Sequence, residues 1–141
     1  MQFEIVWRPL NLSDTTASVN EKSFEVPTNQ MWVPTSIQVT YVSTATVGNR
    51  RLFVNMETFG GVDIKVITAG TTQAASLTRI YSLGPNLPDL TAFRNTSFLT
   101  TPIDGATPLL EGDTLIIGDY ENISATDTCV VMVRGMYRWL V

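Results

Sequence analysis

Apolar and polar side chains alternate along most of this chain, the period of a strand and not of a helix. Val, Ile and Thr crowd the sequence, and strong helix formers are sparse. The nearest candidate for a helical stripe, Gln73 to Tyr81, reads equally well as a strand. The alternation predicts strands over Gln2–Arg8, Lys22–Val26, Met31–Ala45, Arg50–Thr58, Val62–Thr68, Thr72–Leu83, Thr114–Tyr120 and Thr128–Leu140. About eight strands separated by turn signals is the pattern of an antiparallel β-sandwich or jelly roll.

Several details of pairing can be argued. Pro34 lacks an N–H, so the start of the long third strand lies at a sheet edge or at a bulge. Between Arg50–Thr58 and Val62–Thr68, a three-residue loop, Phe59-Gly60-Gly61, pairs Met56 with Ile64 and Val54 with Val66 on one face. A glycine of that loop is expected at positive φ, forming a bulge. The same register sets Glu57 opposite Asp63. In the last strand, Cys129, Val131, Val133, Tyr137 and Trp139 form the inner set, and Arg134 and Arg138 lie on the other face.

Two segments break the alternation. Asn11–Asn20 is a polar stretch after Pro9, so residues 1–21 read as an N-terminal strand and arm. Residues 84–108 hold Pro85, Pro88, Pro102 and Pro108, which leaves no room for a long strand or helix. This segment also holds Leu87, Leu90, Phe93, Phe98, Leu99 and Ile103. Apolar residues in a long loop must either cover one end of the sandwich or dock on a partner.

Composition narrows the function. The length of 141 residues suits one domain spanning 1–141. Charged residues make up 16 %, against an average of about 25 %. A weakly charged surface rich in Thr, Ser and Asn suits a protein that works against other proteins. The net charge is −4 and no basic stripe exists, so a nucleic-acid partner is not expected. No apolar run is long enough to span a membrane. The start, Met1 to Arg8, lacks the basic residues and apolar run of a secretion signal, so synthesis in a host cytoplasm is expected.

The candidate chemistry is thin. With no histidine, Ser–His and Cys–His catalysis and the common zinc sites are excluded. Cys129 is the single cysteine, and its alternation with Val131 and Val133 reads as a buried, inert thiol. Of Glu111, Asp113, Asp119, Glu121 and Asp127, three lie close to turns, and the set reads as solvated turn carboxylates, with a calcium site from Asp113, Asp119, Glu121 and Asp127 or an acid–base pair as lesser readings. No catalytic residue, cofactor or metal is assigned. Trp7 and Trp32 are left between core, protein interface and sugar platform. The arginines, among them Arg50 and Arg51, suit bidentate pairing with carboxylates at a protein contact. Arg79 and Arg94 are expected to pin the long loop, for instance through Asp89.

Certain runs resemble a known group of proteins. They are Trp32-Val33-Pro34-Thr35-Ser36-Ile37, then Val42-Ser43-Thr44-Ala45-Thr46-Val47-Gly48-Asn49-Arg50, and Gln73-Ala74-Ala75-Ser76-Leu77-Thr78-Arg79-Ile80-Tyr81. Leu87-Pro88, Ala92-Phe93-Arg94 and Leu110-Glu111-Gly112-Asp113-Thr114-Leu115 continue the pattern. Together they resemble small virion-associated proteins encoded among the head and tail genes of tailed bacteriophages, over about residues 30 to 135. The resemblance implies a virion location, a sandwich or jelly-roll fold, and no catalytic residue.

The expectation is therefore a non-enzymatic capsid decoration or cement protein, bound to the outside of a phage head. Its partners would be the major capsid protein or other virion proteins, and it is expected to form a homo-oligomer. Trp7, Trp32, Phe93, Arg94 and Phe98 are the expected anchors, with Arg50 and Arg51 as further interface candidates. The alternatives are a head–tail connector or tail component, and a carbohydrate-binding jelly roll.

Overall fold

The computed structural model describes residues 5–16, 21–94 and 97–140. They form strands and no helix: β1 (Arg8–Asp14), β2 (Glu21–Glu25), β3 (Gln30–Val42), β4 (Leu52–Glu57), β5 (Asp63–Thr68), β6 (Thr78–Gly84), β7 (Phe98–Pro102), β8 (Leu109–Leu110), β9 (Thr114–Asp119) and β10 (Thr128–Trp139). One sheet has six strands in the order β1-β10-β3-β6-β7, with β8 also pairing β3. The other has four strands in the order β2-β9-β4-β5. The β-sandwich expected from the period of two is the fold found.

Each sheet turns one set of alternate residues inward. Ile37, Val39 and Tyr41 of β3 and Cys129, Val131 and Val133 of β10 join Val54, Met56, Leu115 and Ile117 of the smaller sheet in one core. Each such side chain, taken fully from water, contributes roughly 1.5–3 kcal/mol of transfer free energy. Leu90 and Phe93 pack against the rim of this core.

The first strand lies later than its predicted position. Residues 5–7 are not in a strand, residues 1–4 lie outside the described residues, and β1 runs through Asn11–Asp14. Leu10 and Leu12 alternate inward between Asn11 and Ser13, too short a signal to outweigh the polar residues around it. Among the described strands its partner is β10 alone, and such an edge is where proline is tolerated, as at Pro9.

Pro34 marks a bulge inside the sheet, not an edge. Arg134 lies opposite Ser36 and Gly135 opposite Pro34, so Thr35 is the extra residue. The backbones approach so closely that a Cβ on Gly135 would collide with the Val33 carbonyl oxygen.

The β4–β5 hairpin follows its predicted loop but not its predicted register. Thr58 N–H donates to Val62 O at 2.8 Å, closing the loop Phe59-Gly60-Gly61, and Gly61 has φ 77°. Glu57 faces Asp63 as expected. A second irregularity beside Met56 then shifts the ladder by one, pairing Met56 with Lys65 and Val54 with Ile67. Val62, Ile64 and Val66 are exposed as a result, in place of the predicted inward set.

The proline-rich segment is more ordered than expected. It contains β7, which lies parallel to β6 with Tyr81 opposite Leu99, the single parallel pair among the described strands. Leu99 and Ile103 are buried, so this segment mainly covers the core. Thr72–Leu77 is not a strand. Gln73 makes an isolated bridge to Arg50, and Ser76 adopts φ 59° in the turn before β6. Trp139 also departs from expectation: it overhangs the end of the sandwich, 53 % exposed, with its ring edge-on to Tyr137.

Candidate interaction surfaces

The predicted interface residues fall into two groups. Trp32 and Arg50 are buried within the chain, which removes both from any surface contact. Trp32 is an inward residue of β3 and donates its indole N–H to Gln30 Oε1 at 2.9 Å. Arg51 is half-buried and donates to the Ala69 carbonyl at 2.8 Å. Phe93 packs on the core and stands edge-on to Tyr81. The Arg79 guanidinium lies 4.9 Å from the Phe93 ring centre, so Arg79 holds the long segment through an aromatic face rather than through Asp89. Trp7, Arg94 and Phe98 are exposed; Arg94 and Phe98 are neighbours, the Arg94 N–H donating to the Phe98 carbonyl at 2.9 Å, and the Trp7 ring lies against Arg138.

Arg50 belongs to a polar network that closes one end of the sandwich. Its Nε donates to Asp127 Oδ2 at 2.7 Å, and its Nη1 donates to the carbonyls of Thr46 and Gly48. Asp127 also accepts from the Thr44 N–H and, at 3.3 Å, from the Tyr41 hydroxyl. Burial by itself raises the Asp127 carboxyl, but hydrogen bonds from Arg50 and Thr44 outweigh it and hold the group below the usual carboxylate range. Asp119 is likewise buried, accepting the backbone N–H groups of Arg51, Glu121 and Ile123. These two carboxylates are internal loop ties and not solvated turn residues. Among the described residues, no group of three or more His, Cys, Asp or Glu side chains is placed to hold a metal ion.

The outer faces of the two sheets differ in charge. Adjacent outward residues of the six-stranded sheet run Ser13, Met132, Gln38, Ser82 and Thr100 in one row, and Val130, Thr40, Ile80 and Phe98 in another. Arg134 lies opposite Asn11 and Ser36, and its guanidinium bonds the Asn11 side chain. Arg138 lies further along β10, 5.5 Å from the Trp7 ring centre. Among the described strand residues this face carries arginines and no carboxylate.

The four-stranded sheet has the opposite character. Its outward rows run Glu21, Gly118, Phe53 and Thr68; then Ser23, Ile116, Asn55 and Val66; then Glu25, Thr114, Glu57 and Asp63. Carboxylates line this face, and among its described outward strand residues there is neither Lys nor Arg. The alternation Glu21, Ser23, Glu25 and Phe53, Asn55, Glu57 is visible in the sequence. That these two runs flank a common strand, β9, is not.

Two recesses open on these faces. Trp7, Val33, Thr35, Gly105 and Met136 line an apolar one of about 420 Å³ beside the six-stranded sheet. The other, about 370 Å³, lies on the acidic face among Glu21, Phe53, Asn55, Glu57 and Tyr120. Phe53 and Tyr120 meet there edge-on. The described residues include no helix long and apolar enough to cross a membrane.

No protein-family model matches the chain, and no curated protein matches its sequence. Among solved structures, one of infectious bursal disease virus, Gx strain, is similar over 95 % of this chain, with 6 % identity and a TM-score of 0.31. The chain spans 41 % of that longer one, and a likeness at this level carries no argument about role.

Proposed function

We propose that the chain is a structural, non-enzymatic protein of a virus particle, bound to the outside of a tailed-phage head as a decoration or cement protein. The observation that carries this reading is the outer face of the six-stranded sheet. It is broad, free of carboxylates among its described strand residues, rich in hydroxyl and amide groups, and exposes Val42, Met132 and Phe98. Such a surface suits protein contact, where a few apolar and arginine anchors supply most of the affinity and many copies multiply it. The sequence resemblance to phage virion proteins supports the same reading. The partner is then the major capsid protein or another virion protein.

A head–tail connector or tail component is the second reading. Its support is the open edge of β5, where Val62, Ile64 and Val66 remain exposed and strand edges can join subunits into a ring. Quantitative mass spectrometry of purified particles separates the two. A copy number near that of the capsid subunits supports decoration, about a dozen or fewer supports the connector, and absence from particles overturns both.

A further inference from the structure

We propose that the recess on the acidic face receives Arg134 of a second copy of this chain, so that copies associate head to tail, the six-stranded sheet of one against the four-stranded sheet of the next. The inference does not rest on the virion reading: it concerns the purified chain, and a copy seated on a capsid by its six-stranded face would offer a neighbour only its four-stranded face.

The recess is built for a cationic, multi-donor group. Glu21 and Glu57 stand on either side of Gly118 and Ile116 in the strand order, and the rings of Phe53 and Tyr120, packed edge-on to each other, line the recess. Gly118, without a side chain, leaves a gap in the row between Glu21 and Phe53. Asn55 supplies an independent sign. It is 8 % exposed, and its Nδ2 donates to Glu57 Oε1 and Asp63 Oδ1, both at 2.8 Å. These two bonds use both amide hydrogens and fix the orientation of the group. Its Oδ1 is buried without a partner in the wall of the recess, so a donor reaches it only when the side chains over it move aside. A guanidinium has five donors, matches a carboxylate in a fork, and stacks on aromatic rings.

The chain carries the matching surface on its other side. Arg134 is exposed, its guanidinium donates to Asn11 Oδ1 through Nη1 and keeps its other N–H groups, and no carboxylate shares its sheet face among the described strand residues. Opposed charge on the two faces of one sandwich favours a heterologous contact over a two-fold one, since like faces repel. Such a contact closes into a ring or runs on as a filament.

Sedimentation velocity of the purified chain over a range of concentrations tests this. At low salt, species larger than a monomer are expected, and they shrink as salt is raised. Arg134→Glu and Glu21→Arg, both at exposed positions, should each weaken association ~10-fold or more. Mixing the two variants should restore it, because the acidified face of one then meets the basified face of the other. Matched thermal melts show that both variants fold. A monomer at every concentration and salt, or association indifferent to both substitutions, overturns the proposal. So does a closed dimer that the mixture fails to restore. A glycan array signal lost in Tyr120→Ala, with the chain monomeric, assigns the recess to a sugar and also overturns it.

Discussion

Arg50 and Asp127 lie 77 residues apart and meet at 2.7 Å with almost no solvent exposure on either side chain. The pair ties the segment before β4 to the segment before β10, at the end of the sandwich where Tyr41 and Gln73 are also buried. A buried ion pair need not add net stability, because removing two charges from water is costly. Breaking one partner, however, strands the other.

Arg50→Met should therefore destabilise the fold by about 3–5 kcal/mol, and Asp127→Leu by a similar amount. The double substitution should cost clearly less than the sum of the two. Urea denaturation of the three variants measures this. Strict additivity would mean that the two side chains are not coupled.

Acid should unfold the protein through the same group. The folded-state pKa of Asp127 is depressed, so its contribution is fully present above the unfolded value near 3.8 and is lost as pH falls through the folded value. Asp104, paired with Lys65 at 2.5 Å and lowered to about 2 chiefly by that hydrogen bond, acts in the same direction. It is more exposed and solvent-screened, so its share is smaller. Stability measured by denaturant midpoint should stay flat from pH 7 to about pH 5 and fall below about pH 4. The fall should be shallower in Asp127→Asn, measured against that variant's own neutral-pH midpoint.

Gly135→Ala should cost about 1–3 kcal/mol, since its Cβ meets the Val33 carbonyl oxygen and lies 2.9 Å from Pro34 Cα. The neighbour is backbone held by the bulge, which has no rotamer to change. A melting temperature equal to that of the parent would show that the two strands can separate freely at this point.

Cys129 should resist modification. Burial pushes its thiol up to about 11, leaving little thiolate at neutral pH. Ellman's reagent should react with the denatured chain in full and with the native chain at least ~100-fold more slowly, the reaction following unfolding. Rapid labelling of the native state would contradict the burial of this side chain.

Much of the architecture was legible as pattern. The period of two in Ile37, Val39 and Tyr41 and in Cys129, Val131 and Val133 named the central strands and their inward faces. The loop Phe59-Gly60-Gly61 was legible from its glycines, although the register argued with it, Met56 with Ile64 and Val54 with Val66, is not the one found. Other features escaped because they depend on competition. Asn11–Asp14 looks like loop by composition yet is pulled into the sheet by Leu10 and Leu12. Phe98–Pro102 looks too short and too close to prolines for a strand yet finds β6 beside it. Trp139 continues the inward alternation yet stays 53 % exposed, with its ring edge-on to Tyr137.

The candidate surfaces divide in the same way. The alternation of Glu21 with Glu25, of Asn55 with Glu57, and of Met132 with Arg134 is a local property of each strand, set by the pleat. The chain by itself thus determined the central strands, their inner faces and the absence of histidine. Only the tertiary structure decided that Arg50 is an internal tie and that acidic and basic outer faces lie on opposite sheets. It also decided that Asn55 Oδ1 is buried without a hydrogen-bond partner. Strand order and register across long connections are set by which distant faces bury each other best, and that competition has no signature in neighbouring residues.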